Sequence, residues 1–114
     1  MADCLFCGIA NREIKGSIVY ENETVVVFKD INPRAPVHLL IIPRKHVATL
    51  LDLGEEDKGI LSEIFSAANR LAESHGIAGD GFRVVVNCGP AAGQSVYHIH
   101  FHLLGGRTLG WPPG

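Results

Sequence analysis

Near the C-terminus three histidines alternate with apolar residues, His98-Ile99-His100-Phe101-His102-Leu103-Leu104, and no other stretch restricts the fold so closely. Side chains two apart on a strand share a face. A strand over 95–104 therefore sets the three imidazoles on one side, about 6.5 to 7 Å apart in backbone rise, and turns Ile99, Phe101 and Leu103 toward a core. One histidine in a strand is ordinarily a hydrogen-bonded, part-buried side chain. Three in strict alternation are hard to explain by packing, because each imidazole needs partners and clustered imidazolium charges repel. The row must border a cleft or a metal, which leaves phosphoryl chemistry, metal ligation, or a division between the two.

The rest of the chain reads as one α+β domain spanning residues 1–114. Asp3 can cap a short helix carrying Leu5, Phe6 and Ile9, with Cys4 and Cys7 one turn apart and exits at Asn11 and Gly16. Ser17–Glu21 and Thr24–Lys29 form a hairpin about Glu21-Asn22-Glu23. Two prolines make 30–36 a loop. Val37–Ile42, nearly all apolar and closed by Pro43, reads as an inner strand with His38 at its entrance. After a single helical turn within 44–53, Glu55, Glu56 and Asp57 open the one long helix. Its stripe is Ile60, Leu61, Ile64, Phe65, Ala68, Leu71 and Ala72, and Gly76 ends it. Phe82–Asn87 is a further strand, and the Gly/Pro-rich tail 105–114 lacks regular structure.

With 46% hydrophobic and 19% charged residues the chain is long enough for one core. A formal charge of −2 provides no field for a nucleic-acid polymer, although a small phosphorylated ligand needs only local complementarity. No signal peptide is evident, and the apolar run Leu39–Ile42 is far too short to cross a bilayer. Cysteines at 4, 7 and 88 do not make a disulfide framework, and Cys4-x-x-Cys7 reads first as metal or redox chemistry. The expected compartment is the cytoplasm, with neither membrane nor nucleic acid as partner.

The loop Gly89–Ser95 runs straight into the histidines. Its glycines let backbone N–H groups converge on an anion, and Ser95 adds a hydroxyl, though the Gly-Lys-Ser ending of a P-loop is absent. Neutral imidazole can attack phosphorus if one ring nitrogen is held as N–H and the other keeps its lone pair. His100, flanked on both sides, is the natural nucleophile.

These residues resemble a known family. His98 to Leu104 matches the histidine-triad signature His-φ-His-φ-His-φ-φ, with φ apolar, and Gly93-Gln94-Ser95-Val96-Tyr97 extends the match. Asp30-Ile31-Asn32-Pro33, the run His38 to His46, and the terminal Gly105-Gly106-Arg107…Trp111-Pro112-Pro113-Gly114 are similar to the nucleotide-binding branch of the histidine triad (HIT) superfamily. The resemblance covers nearly the whole chain from Cys4. It implies the HIT-like fold: about five largely antiparallel strands, one long and one short helix, and a sheet continued across a homodimer, with the tail 105–114 at the interface and active-site edge.

By that resemblance the chain is a purine nucleoside phosphoramidase or nucleotidyl hydrolase, with adenosine 5′-monophosphoramidate as a model substrate. His100 would form a nucleotidyl-histidine intermediate, within a catalytic set completed by His98, His102, His38 and Ser95. His38 would help hold the nucleophile's ring and His102 would contact the phosphate, with both roles open to sharing between them, and Ser95 would assist the leaving amine. Asn87, Gly93, Gln94, Ser95 and Val96 would bind phosphate or the sugar edge. The nucleoside pocket would comprise Leu5, Phe6, Ile9, Phe28, Asp30, Ile31 and Leu40. Asp30 suits the two ribose hydroxyls, and Trp111 would lie against the partner subunit near its active site.

Related members also use positions matching Cys4, Cys7, His46 and His98 as a Cys2His2 zinc set. Two reduced, buried thiols are the alternative. Zinc there would be structural, with no cofactor needed for catalysis. His75 would meet the long helix's C-terminal dipole. Rival functions are a dinucleoside-polyphosphate hydrolase or nucleotidyl transferase of the same superfamily, a nucleotide-binding scaffold with vestigial hydrolysis, and a metal-storage or sensor module.

Overall fold

The structure is a computed structural model and describes residues 4–114. Asp3, expected to cap the first helix, lies outside the described residues. Helix α1 is Leu5–Ala10, and Cys4 takes the N-cap position, its sulfur accepting from the Cys7 N–H. Strands β1 (Ile18–Glu21), β2 (Val25–Lys29) and β3 (Val37–Pro43) follow, then helix α2 (Lys58–Ser74) and strands β4 (Phe82–Val86) and β5 (Phe101–Gly105). The five strands form one sheet in the order β1-β2-β3-β5-β4, and every pairing is antiparallel.

Local chemistry explains the joints. Asn22 closes the β1–β2 hairpin by accepting from the N–H groups of Thr24 and Val25. The apolar run of β3 occupies the middle of the sheet, where both faces are covered. A 3-10 turn over Glu55–Asp57 leads into α2. There Asp57 is buried, yet it accepts from Gly54 N–H and from Lys45 Nζ, which hold its carboxyl below the usual carboxylate range. At the far end Gly76 takes a φ of +72°, which lets Ile77 N–H return to the Ala72 carbonyl.

Alternation divides the sheet into two faces. Val25, Val27, Leu39, Ile41, Phe101 and Leu103 pack beneath Ile64, Ala67, Ala68, Leu71 and Ala72 of α2. The opposite face carries Val26, Phe28, Leu40 and Ile42, covered by Phe6, Ile9 and Ala10 of α1. His38 and His102 alternate onto this second face, so α1 and the histidines share one side.

Three expectations need correction. The histidine stretch is not one strand over 95–104: β5 begins at Phe101, and Ser95–His100 lies outside regular structure. The preceding strand ends at Val86, leaving Asn87 beyond it. Phe65 does not belong to the buried stripe of α2. It is 48% exposed and rests its ring edge on Phe101, while Ala67 takes the buried place, where a small side chain lets the helix approach the sheet.

Candidate functional site

Four histidine rings meet on the α1 side of the sheet, and their hydrogen-bond partners fix which nitrogen carries the proton in each neutral ring. His38 Nδ1 accepts from the Arg34 N–H at 3.0 Å, so its proton sits on Nε2. That proton faces His102 Nδ1 at 2.9 Å and Asp30 Oδ2 at 3.3 Å. His102 then accepts at Nδ1 and presents Nε2–H as a donor. His100 Nδ1–H donates to the His98 main-chain carbonyl at 2.9 Å, which leaves the Nε2 lone pair free. His98 Nε2–H donates to the Pro43 carbonyl at 2.8 Å, leaving its Nδ1 lone pair.

The row therefore divides. His100 and His102 stand side by side with ring centroids 5.1 Å apart, and His38 lies 5.2 Å from His102. His98 is wholly buried and turns toward His46, 5.0 Å away and perpendicular. His38 bonds His102 rather than His100, and the group that holds the His100 ring is the His98 carbonyl. Main-chain groups of Arg34, Pro43 and His98 thus act in the site. The sequence gives no signal for them, because every residue carries them.

Around His98 a donor set converges. Its Nδ1 lies 3.3 Å from Cys4 Sγ, 3.5 Å from Cys7 Sγ and 3.3 Å from His46 Nδ1, and Cys7 Sγ lies 3.4 Å from His46 Nδ1. One lone pair cannot bond separately to three neighbours. Tetrahedral zinc with bonds of about 2.3 Å to sulfur and 2.0 to 2.1 Å to nitrogen has edges of about 3.5 Å between S and N and about 3.3 Å between two N. The donors stand at those separations, so the four residues fit zinc. Asp30, His38 and His102 also bring three donor atoms within 4.8 Å of one another. There the 2.9 Å between His38 Nε2 and His102 Nδ1 is a hydrogen bond and is shorter than such an edge.

Burial favours the neutral form of His38, His98 and His102. It pushes His38 and His98 below their ordinary values, and it lowers His102 from 6.5 to about 4, helped by His100 and His38 and opposed by the Asp30 carboxylate. Burial likewise pushes the Cys7 thiol up. Between pH 6.5 and 4 an unfolded His102 binds a proton that the folded one refuses, so folding stability is full above this window and falls as the pH drops through it. The expected loss from His102 is on the order of 2 to 3 kcal/mol across the window. Urea unfolding at pH 7 and pH 4 checks it. His102→Gln should remove this part of the slope, and equal slopes in parent and variant would overturn the assignment.

The remaining candidate residues are placed unevenly. Phe6, Ile9, Phe28 and Leu40 are buried together, whereas Leu5 is half-exposed and Ile31 is 91% exposed. Asp30 Oδ1 accepts from Asn32 N–H, and its other oxygen faces His38. Asn87 follows Val86, which pairs with Phe101, so alternation sets it on the face that carries His100. The loop before the histidines is mostly self-satisfied. Gly93 and Gln94 N–H bond to Pro90 and Gly89 carbonyls, and the Gln94 amide bridges Gly89, Ala48 and Val96. Ser95 and Val96 N–H have no partner among the described residues, and Ser95 itself is exposed. Trp111 is 82% exposed, with the Arg83 guanidinium 6.0 Å from its ring. His75 Nδ1–H donates to the Leu71 carbonyl at the end of α2. A cavity of about 630 Å³ is lined by Gly76, Ile77, Asp80–Arg83 and Gly106–Leu109, and none of the histidines is in its wall.

Comparison with known proteins adds the relatives. Residues 11–109 match the model of the HIT domain. The chain is 45% identical over 108 residues to the purine nucleoside phosphoramidase of Escherichia coli (strain K12), covering 95% of this chain and 91% of that protein. It is 50% identical over 112 residues to the 14 kDa zinc-binding protein of Zea mays, covering 96% and 87%. The crystal structure of a HIT family hydrolase from Legionella pneumophila Philadelphia 1 superposes with a TM-score of 0.96 at 49% identity, over 98% of this chain and all of that one.

Proposed function

The chain belongs to the HIT domain family, and from that premise we propose that it is a purine nucleoside phosphoramidase, a hydrolase of the P–N bond in nucleoside 5′-phosphoramidates. The observation that carries the reading is the His100 tautomer. With Nδ1–H tied to the His98 carbonyl, the Nε2 lone pair is the free nucleophilic atom beside a second ring that offers Nε2–H.

The chemistry runs in two displacements. His100 Nε2 attacks the phosphorus, a new N–P bond forms, and the P–N bond to the amine breaks as that amine takes up a proton, with Ser95 assisting. Water then attacks the nucleotidyl-histidine, gives up a proton, and the His100–P bond breaks to release the nucleoside monophosphate. One water is consumed overall. His102 Nε2–H, oriented by His38, hydrogen-bonds a non-bridging phosphoryl oxygen, and Ser95 and Val96 N–H hold another. Phe6, Ile9, Phe28 and Leu40 enclose the purine, Asp30 accepts from the ribose hydroxyls, and Asn87 reaches the phosphate or sugar edge.

Zinc belongs to this reading as a structural ion held by Cys4, Cys7, His46 and His98, the set its donor separations support. With four protein donors it leaves no open position for water, so the phosphorus chemistry stays with the histidines. The chain is read as a homodimer whose sheets join. An open β4 edge and the exposed Trp111 beside it support that. Cysteines 4, 7 and 88 outside any disulfide support a reducing compartment such as the cytoplasm, and no helix among the described residues is long and apolar enough to cross a membrane.

Rapid mixing with adenosine 5′-monophosphoramidate, followed by intact-mass measurement, tests the function. A transient adenylylated protein should appear and decay as the monophosphate forms. Tight purine nucleotide binding with neither adduct nor hydrolysis would move the assignment to a binding protein.

A further inference from the structure

The nucleophile sits on backbone that the sheet does not hold. His100 precedes β5, and Ser95–His100 belongs to no helix or strand. Something other than the β-ladder must fix a ring whose Nε2 has to meet a phosphorus atom, and three segments converge there. His98 supplies the carbonyl that holds His100 Nδ1–H, while its own ring is pinned by Pro43 through Nε2 and faces the donor set through Nδ1. The stretch carrying His46 also carries Val47, whose carbonyl takes the Ile99 N–H at 2.7 Å, between the two histidines. Helix α1 carries Cys7, follows the N-cap Cys4, and presents Phe6 edge-on to His100 at a centroid distance of 5.1 Å.

Each segment contributes ligands to the Cys4, Cys7, His46, His98 set, and each also touches His100 or the backbone just before it. Without a metal the donor set itself ties them weakly. Helix α1 has six residues, too few to be stable by itself, and the S···N contacts of 3.3 to 3.5 Å are feeble hydrogen bonds. We propose that the four-residue set positions the nucleophile: ligation of His98 Nδ1 to the two thiolates' metal fixes the His98 carbonyl, and through it the direction of the His100 lone pair. Cys4, Cys7 and His46 are then positioning residues for catalysis, not only for folding. The kinetic part of this inference rests on the phosphoramidase reading, and the structural part does not.

Cys4 offers a clean test, because its sulfur also caps α1. Asp and Asn both cap helices well, but only Asp is a good zinc ligand. Cys4→Asn should therefore keep the cap and lose the metal, whereas Cys4→Asp should recover both. The parent as isolated, the parent stripped by chelator and reloaded with zinc or cobalt, and the two variants are compared by metal content per chain. Imidazole 15N spectra and single-turnover rates with adenosine 5′-monophosphoramidate are then recorded for each.

The expected result is about one metal per chain in the parent, and a tenfold or greater fall in the single-turnover rate of the stripped parent and of Cys4→Asn. KM should change less than threefold. The His100 Nδ1–H signal should lose its single position in those two samples, and Cys4→Asp or reloading should restore signal and most of the rate. An unchanged His100 spectrum after metal loss would overturn the inference, as would a parent that takes up no zinc. If no form hydrolyses any phosphoramidate, the functional reading fails separately, and the His100 spectrum still decides the coupling.

Discussion

Replacing His100 with asparagine should reduce phosphoramidate turnover by on the order of 10⁴-fold or more, the scale expected when a covalent nucleophile is removed from a site that otherwise stays assembled. Asparagine is chosen because its side-chain NH2 can occupy the place of Nδ1–H and keep the bond to the His98 carbonyl. No atom then stands where Nε2 was. The ring is buried against Phe6, so the smaller side chain leaves some room, and a modest loss of stability is expected alongside. The two effects separate experimentally. Nucleotide affinity and the unfolding transition should survive, while the adenylylated species disappears from the mass spectrum. Retention of more than about a hundredth of parent turnover would place the nucleophile elsewhere in the cluster.

That the alternating histidines could be read from the sequence as a cluster on one face, while their setting could not, has a physical cause. Strand alternation fixes which way a side chain points even where the ladder of hydrogen bonds has stopped. Ile99 is therefore buried with Phe101 and Leu103, although it lies outside β5. The same alternation cannot say which neighbours a histidine meets. His98 turns to Cys4, Cys7 and His46, and His102 to His38, because α1 and the loop 44–49 cover only one end of the face. The groups that fix the tautomers are the Arg34 N–H and the Pro43 and His98 carbonyls, and side-chain identity carries no trace of them. Gln94 is similar. Its position beside the histidines suggests substrate, yet its amide ties the loop together. The strands and the long helix follow from hydrophobic period and are legible, whereas the strand order is not written in that period. Phe65 departs because α2 lies close over the sheet, and small residues such as Ala67 and Ala68 fill that approach better than a second large ring.

Phe6 is where the apolar cluster, His100 and the donor set meet, and its truncation has the second largest expected effect. The ring packs edge-to-face on Phe28 at 5.2 Å and on His100 at 5.1 Å, and it stands 6.1 Å from His98, with only 5% of the residue exposed. Phe6→Ala removes a buried aromatic from a cluster that α1 shares with Ile9, Phe28 and Leu40, and should cost about 3 kcal/mol. A six-residue helix cannot absorb that loss and stay docked, so local detachment of α1 is expected before the α2 side of the sheet gives way. Hydrogen exchange should show it: amides of 7–11 should exchange much faster in the variant, while those of β3 and α2 stay protected. Because the same ring walls the proposed purine site, KM for a nucleoside phosphoramidate should rise at least tenfold. Phe6→Leu, which restores most of the buried area but not the flat face, separates the two roles. It should recover most of the stability while KM stays raised. A leucine variant that recovers both equally would mean that Phe6 serves packing alone and that the base is held elsewhere on this face.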